Sequence, residues 1–169
     1  MAIAKSILKN CALFVDDSRY IGQIDEVTLP KLTTKDEEYQ GAGMGGPVSI
    51  PMSIEKLEAS FVTSSALRDL LASWGLRAAN STKLEFRGGL EDLDGTTTAD
   101  IAKIRGRVSG FDESASKPGD KRTWTFTVQV LFYERSIGGQ ETIYIDLENN
   151  VCRVNGVDQW AGIREIING

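Results

Sequence analysis

Residues 122–135 read RTWTFTVQVLFYER. Apolar side chains recur at every second position: Trp124, Phe126, Val128, Val130 and Phe132 share one face. Thr123, Thr125, Thr127, Gln129, Leu131 and Tyr133 share the other. Period two is the signature of a strand with distinct faces. One face must be core. The other is uncharged from Thr123 to Tyr133, although Arg122 and Arg135 bracket it. A face rich in Thr and Gln suits a semi-wet or subunit-facing sheet surface.

Shorter strands surround this one. Towards the C-terminus, Gly138-Gly139 turns the chain into a strand over 141–147, and Asn149-Asn150 turns it again into 151–154. Asn155-Gly156 is a hairpin signal. The tail predicts a short helix over 158–168, capped by Asp158, with Trp160, Ile163, Ile166 and Ile167 on an apolar side. A terminal segment that apolar is expected to dock onto its own subunit or the next.

Towards the N-terminus, residues 101–111 alternate as a strand, with Gly106 and Gly110 marking bulges. The turn over 91–99 and the strand over 82–90, with Leu84 and Phe86 on one face, precede it. Residues 55–63 alternate too: Leu57, Ala59 and Phe61 point one way, Glu58, Ser60 and Val62 the other. Between these strands lies the persuasive helix, over 65–74. Ser64 or Ser65 is placed to cap it, Leu67, Leu70, Leu71 and Trp74 form one stripe, and Gly75 stops it. The stripe predicts packing against a sheet. At the start of the chain, 11–15 and the broken strand 20–29 predict a hairpin turned by Asp16-Asp17-Ser18.

One connection does not fit a compact domain. Residues 27–47, VTLPKLTTKDEEYQGAGMGGP, start as a strand, turn polar and charged, and end in glycines. The segment has almost nothing to bury, yet it lies between strands, where connections are normally short. It reads as an arm that a neighbour orders. The sum is one domain, 1–169, mainly β in short strands: a sandwich or barrel with one good helix.

The totals exclude several chemistries. The chain has 169 residues, ordinary globular composition and net charge −5, which argues against a generic grip on phosphates. It contains no histidine, so Ser-His and Cys-His nucleophile pairs are absent. Cys11 and Cys152 predict two ordinary free thiols in a reducing compartment. The N-terminal residues do not read as a signal peptide, and no apolar run approaches membrane-span length. The expectation is cytoplasmic synthesis without a membrane anchor.

Three motifs resemble chemistry and are better read as structure. Gly41, Gly43 and Gly46 spell GxGxxG, but KDEEYQ precedes them and Pro47 follows, where a dinucleotide site needs a buried strand and then a helix. The cations of KPGDKR, 117–122, lead into a strand rather than a helix, and read as a solvated turn. Asp36-Glu37-Glu38 lacks the alternating ligands and central glycine of a calcium loop. No carboxylate pair stands out as an acid/base couple. The expectation is a protein that is not an enzyme, with no cofactor and no metal.

Two segments carry a family resemblance. Val27-Thr28-Leu29-Pro30-Lys31-Leu32-Thr33, then Glu38-Tyr39 and Gly41-Ala42-Gly43-Met44, resemble the major tail tube protein of contractile-tailed (myovirus-type) bacteriophages, a type also found in R-type tailocins. Ile145-Asp146 and Val154-Asn155-Gly156-Val157-Asp158 resemble that family's C-terminal strand and turn. The resemblance is dense in those two places; the region between them matches mainly in pattern.

The resemblance implies an orthogonal β-sandwich or small barrel with a flanking α-helix and a long extended inter-subunit loop. It implies hexameric rings whose inner sheets join around a lumen and stack into a tube, the inner tube of a contractile virion tail. A tail sheath protein surrounds the tube, and DNA passes through without specific binding. A baseplate or tail initiator and a tape measure protein are further implied partners, with assembly in the host bacterial cytoplasm. The arm, 28–47, is then the inter-ring contact, carried by Leu29, Pro30, Lys31, Leu32, Glu38, Tyr39, Gly41, Gly43 and Met44. The C-terminal segment, 158–169, and the strand before it dock through Val154, Asn155, Gly156 and Trp160. Glu58, Ser60, Thr125, Thr127 and Gln129 are expected to face the lumen or a subunit; alternation selects them, not a matched motif. Two other readings compete: a ring-forming carrier like the type VI secretion tube, and a monomeric sandwich with a deep ligand pocket and no ordered arm.

Overall fold

The computed structural model describes residues 6–16, 18–20, 23–76 and 81–168. The strands are β1 (Ile7–Val15), β2 (Ser18–Tyr20), β3 (Ile24–Thr28), β4 (Thr34–Tyr39), β5 (Val48–Ile54), β6 (Glu58–Thr63), β7 (Thr82–Glu91), β8 (Thr97–Glu113), β9 (Trp124–Ile137), β10 (Gln140–Asp146), β11 (Val151–Val154) and β12 (Val157–Asp158). Two short helices, α1 (Arg68–Ser73) and α2 (Ala161–Asn168), complete them. The class is mainly β, as expected.

Two long strands, β8 and β9, organise the rest. The first half of β9 pairs with β6, and β6 with β3. The second half of β9 pairs with β10, which leads through β11 to β12. β8 lies along the other side of β9 throughout, and its first half pairs onward with β7, β1 and β2. Apart from β4 and β5, all ten strands are hydrogen-bonded into one continuous sheet, which divides along the long strands into two parts: a small sheet ordered β3-β6-β9-β8, and a large one ordered β12-β11-β10-β9-β8-β7-β1-β2. Strands that change sheets do so at bulges, which bend and twist the chain.

The bulges fall where the glycines predict them. Register slips between Arg105 and Gly106, and again between Val108 and Gly110. At the first slip Arg105 faces Phe132 while Gly106 faces Val130, so Leu131 is the extra residue. A Cβ at Gly106 would lie 2.1 Å from the Gln129 carbonyl oxygen, so only glycine lets the strands approach this closely. This bulge corrects one expectation. Trp124, Phe126, Val128 and Val130 are buried, but Tyr133 replaces Phe132 as the next core residue. One inserted residue reverses a period-two pattern.

The core fills the space between the sheets. Leu57, Ala59, Phe61, Val108, Phe126 and Val128 come from the small sheet, and Leu13, Val15, Leu84, Ala102, Tyr133 and Ile145 from the large one. Phe61, Phe126 and Phe111 stack in sequence across the small sheet, with centroids 6.2 and 5.3 Å apart. Cys152 is buried, Cys11 is half-buried, and both are free thiols whose pKa burial pushes up.

Three further expectations change. The helix is shorter than 65–74: it starts after Leu67, and neither serine caps it. Thr63 instead donates its hydroxyl hydrogen to the Ser65 carbonyl, holding the preceding turn. Leu67 and Leu70 are buried, worth about 1.5–3 kcal/mol each. Leu71 and Trp74 are exposed; the Trp74 indole N–H donates to the Ser109 carbonyl at 3.3 Å. The second change is at the start of the chain. β1 and β2 form the expected hairpin, but β3 crosses to the small sheet to pair with β6. Residues 21–22 and Asp17, part of that prediction, lie outside the described residues.

The third change is the arm. Its residues form a hairpin, β4 against β5, separate from both other sheets. The arm therefore runs to Ile54 rather than ending near Pro47. Six strand residues reach roughly 20 Å. The Glu55 N–H to Thr33 carbonyl bond, 2.8 Å, closes its base. Pro51 is tolerated because the hairpin has two edges and no centre.

Candidate functional site: the assembly surfaces

Chemistry-bearing residues concentrate on three surfaces. The first is the outer face of the small sheet. Register places Glu58 opposite Gln129, Ser60 opposite Thr127, and Val62 opposite Thr125. β3 adds Glu26 opposite Val62 and Thr28 opposite Ser60. β8 adds Asp112 opposite Thr125 and Arg107 opposite Gln129. All five residues selected by alternation, Glu58, Ser60, Thr125, Thr127 and Gln129, therefore share one polar face. Gln129 donates to Glu58 at 2.9 Å and to the Ser109 hydroxyl at 3.2 Å. The bond from Gln129, then Lys56 at 3.1 Å, holds the Glu58 carboxyl below its ordinary pKa. Arg107 is drawn aside to donate to the Gly75 carbonyl at 3.0 Å.

Among the described residues neither edge of this small sheet has a further strand partner, although the Ser109 carbonyl on the β8 edge accepts the Trp74 indole N–H. β3 pairs with β6 alone among them. β8 pairs with β7 only through Gly106, leaving 107–113 with β9 alone. Unpaired edges are templates for further strands.

The second surface is the arm. Leu29 packs against the core and Pro30 is buried, so these two anchor the arm's base rather than project with it. Lys31 and Leu32 are exposed where the arm leaves the body. Glu38 pairs with Ser49 and Tyr39 with Val48. At the tip, Gly43 takes a positive φ of 87°, and Gly41 bonds Met44 through its carbonyl. A strand follows these glycines, not the helix a dinucleotide needs. The sequence reading missed the contribution of β5. In VSIPMSI, Val48 and Ile50 lie on the Tyr39 face of the hairpin, Met52 is the extra residue of a bulge, and all three are exposed. Alternation in those seven residues is the signal that could have found them. Asp36 and Glu38 lie on the opposite face, where Ser49 donates to Asp36 at 2.8 Å. Bonds from the Thr34 and Ser49 hydroxyls lower the Asp36 pKa.

The third surface is the C-terminal segment. Asn155 and Gly156 adopt φ of 50° and 81°, the paired positive values of the hairpin turn their sequence predicts. Val154 is 44% exposed, while Trp160 is half-buried against its own core. Asp158 accepts the Trp160 N–H at 3.0 Å and the Arg164 guanidinium at 2.6 Å. Its carboxyl is held below the ordinary range by Arg164 first. α2 is thus tied down at its start, yet Ile163, Ile166 and Ile167 are 60–83% exposed. Trp160, Val154, Asn155 and Gly156 do not form one cluster with the arm.

No helix among the described residues is long and apolar enough to cross a membrane, and those residues hold no cluster of three or more metal-ligating acids or cysteines. The open concavity on the outer face of the large sheet, about 600 Å³, has an aromatic floor and a rim of cations rather than a deep apolar interior.

Comparison with known proteins shows the family. The sequence model of a family described as "Phage tail tube protein FII" matches residues 5–167. The major tail tube protein of Serratia phage KSP20 is 33% identical over 161 residues, covering 92% of this chain and 91% of that one. The tail tube protein of Escherichia phage P2 is 31% identical over 159 residues, covering 90% and 91%. A chain of the extended sheath-tube complex of an extracellular contractile injection system, PVC, superposes with a TM-score of 0.59 at 12% identity, covering 79% of this chain and 90% of that one. At that identity the likeness shows the fold.

Proposed function

The chain belongs to the phage tail tube protein FII family and is a tail tube protein, and from that premise we propose how it builds the tube. The small sheet of each copy joins the small sheets of its neighbours, edge β3 against the 107–113 edge of β8. Six copies, the number the family resemblance implies, close a ring. The observation that carries this is the pair of open edges on one antiparallel sheet. In β3-β6-β9-β8 every neighbour is antiparallel, so the two edge strands run oppositely. A copy placed beside another then continues the alternation without a break. Contacts of this head-to-tail kind close into rings.

The polar face of the small sheet then lines the bore. Glu26, Thr28, Glu58, Ser60, Asp112, Thr125, Thr127 and Gln129 present carboxylates, hydroxyls and amides, and the one arginine that register adds to them, Arg107, is tied to the Gly75 carbonyl. A duplex slides past such a wall, because phosphates are gripped by cations. The large sheet faces outward, towards a tail sheath protein. The arm and α2 carry contacts between stacked rings. Baseplate or initiator and tape measure proteins complete the tail, which is assembled in the host cytoplasm.

The test is electron microscopy of the full chain, alone and with its tail initiator, together with a Thr28→Pro variant. Wild type is expected to form tubes with an open bore. The variant, with a proline on the joining edge, is expected to remain a folded single subunit. A wild-type chain that stays monomeric under every condition would overturn the proposal.

A further inference from the structure

The end of α1 is clipped across the β8 edge of the small sheet. Leu67 and Leu70 are buried in the core, so α1 begins on the inner side of that sheet. Arg107 lies opposite Gln129 on the polar side, between the buried residues Gly106 and Val108. Yet the Arg107 guanidinium donates to the Gly75 carbonyl at 3.0 Å. From Leu70 to Gly75 the chain therefore passes from the core side of β8 to a group on its polar side. On the way, the Trp74 indole N–H donates to the Ser109 carbonyl at 3.3 Å. Ser109 is the extra residue of the second β8 bulge: Val108 faces Val128 and Gly110 faces Thr127. Residues 71–76 thus form a strap around the edge, bonded to it at Arg107 and at Ser109.

The strap lies where ring closure requires a strand. This rests on the tube reading above, in which β3 of a second copy pairs along 107–113 of β8. β3 spans five residues, Ile24–Thr28. With Arg107 and Ser109 engaged, the stretch clear of the strap is 110–113, one residue shorter than β3. A full ladder between two copies and the strap therefore exclude each other.

The strap is also built to let go. α1 has six residues and no side-chain cap at its start, far below the length at which a helix is stable alone. Leu71 and Trp74 are exposed and Leu76 is 87% exposed, so lifting 71–76 uncovers little that is now buried. Leu67 and Leu70 stay in the core and hold the base of the strap. Two side-chain bonds to carbonyls are a small tie against the ladder of backbone bonds that a neighbouring strand brings.

We propose that Trp74 and Gly75 form an autoinhibitory strap: in the free subunit they guard the β8 edge against β3 of a second copy, and ring closure displaces them. An unguarded edge pairs with whatever strand it meets. A strapped edge pairs only where several copies are already held in register, because their combined contacts outcompete the strap. Growth is thereby confined to the end of an existing ring.

The experiment uses the full chain, with and without a tail initiator, followed by light scattering and sedimentation. Trp74→Phe keeps an aromatic ring and removes the donor; Arg107→Met keeps an apolar stem and removes the guanidinium. The double variant is expected to keep wild-type circular dichroism. It is expected to shorten the lag before tubes appear, and to lower the concentration at which they appear, by roughly threefold or more, the scale set by the net worth of one or two hydrogen bonds. Trp74→Phe alone is expected to shift both in the same direction by less. Arg107→Lys, which keeps a donor for the Gly75 carbonyl, is expected to stay near wild type. If the double variant does not fold, Trp74→Phe alone carries the test. An electron cryo-microscopy map of the tube gives the second readout: Trp74 is expected away from Ser109, with a neighbour's β3 along 107–113.

An equal or longer lag in the folded variants overturns the proposal. So does a map in which β3 is joined along 107–113 while Trp74 still bonds Ser109. Failure of the tube reading looks different: wild type forms no tubes even with its initiator, or the map shows rings joined at other edges, and either result removes the strap as well.

Discussion

At the scale of single residues, the sharpest constraint is Gly106. The Gln129 carbonyl occupies the place of a Cβ there. Gly106→Ala must push apart the two longest strands, and overpacking of that kind costs about 1–3 kcal/mol. Urea denaturation is expected to show that loss, whereas Gly45→Ala, open to solvent at the arm tip, should show almost none. A second residue-scale constraint is the pair Arg135 and Asp100. Asp100 is 5% exposed and takes two bonds from the guanidinium, at 3.0 and 2.7 Å. The bond to Asp100 raises the Arg135 pKa further. Asp100→Ala strands a partly buried cation. The full cost of breaking a buried pair is about 3–5 kcal/mol; with Arg135 one-third exposed, about 1–3 kcal/mol is expected, read as a lower urea midpoint. α2 starts at Ala161 rather than Asp158, and Asp158 does not cap it but holds the residue before it, Trp160, and Arg164 within it, which gives a pH dependence. Its folded pKa lies below the ordinary value of about 3.9. Its contribution is therefore complete above that value and lost as pH falls through the folded pKa. Amide exchange of residues 161–168 is expected to rise over that acid window, and to be raised near neutral pH in Asp158→Ala.

At the scale of elements, the arm separates folding from assembly. Apart from Ile54 at its base, which packs on the core, its strands pair only with each other among the described residues, and Thr33 and Glu55 close the base. Replacing 35–53 by two glycines is expected to leave the melting temperature within a few degrees of wild type while abolishing long tubes. Removing only 33–46 is a worse experiment, because it leaves β5 unpaired with Val48, Ile50 and Met52 exposed. Leu29→Asp should behave oppositely to the excision, unfolding the subunit, since Leu29 packs on the core. α2 offers the complementary case. Ile163→Asp/Ile166→Asp changes side chains that are already in water, so stability is retained while ring stacking falls. The helices also show where periodicity stops being informative. Leu71 and Trp74 continue the stripe of Leu67 and Leu70, yet α1 ends at Ser73 and only the first two residues reach the core.

At the scale of the whole molecule, the proposed tube rests on edges and faces rather than on a pocket. Among the described residues the small sheet has no further strand at either edge. Ser60→Lys/Thr127→Lys places two cations side by side on the face assigned to the bore. Tails carrying it are expected to assemble at normal length, while DNA release from purified phage slows in a salt-dependent way. A release rate identical to wild type would assign this face elsewhere. Much of this plan was legible beforehand. The Glu58, Ser60, Thr125, Thr127 and Gln129 face follows from alternation, since a strand has only two sides. The bulges at Gly106 and Gly110 were equally legible, because a glycine inside a strand marks close backbone approach.

The sequence by itself determined most strands of the body, the turns, the polar face of β6 and β9, the presence of an anomalous arm, and the family. These are properties of local pattern, which neighbours along the chain specify. It did not determine which strands share a sheet, that β3 leaves β2 to pair with β6, or that Tyr133 rather than Phe132 enters the core. Those depend on a slip of one residue between partners far apart in sequence, and period two cannot report a slip. Nor did it show that Val48 and Ile50 join Tyr39 on one face of the arm. The concavity on the outer face of the large sheet was hidden for the same reason: Phe14, Arg87, Lys103 and Phe132 lie on four strands, and only pairing makes them neighbours.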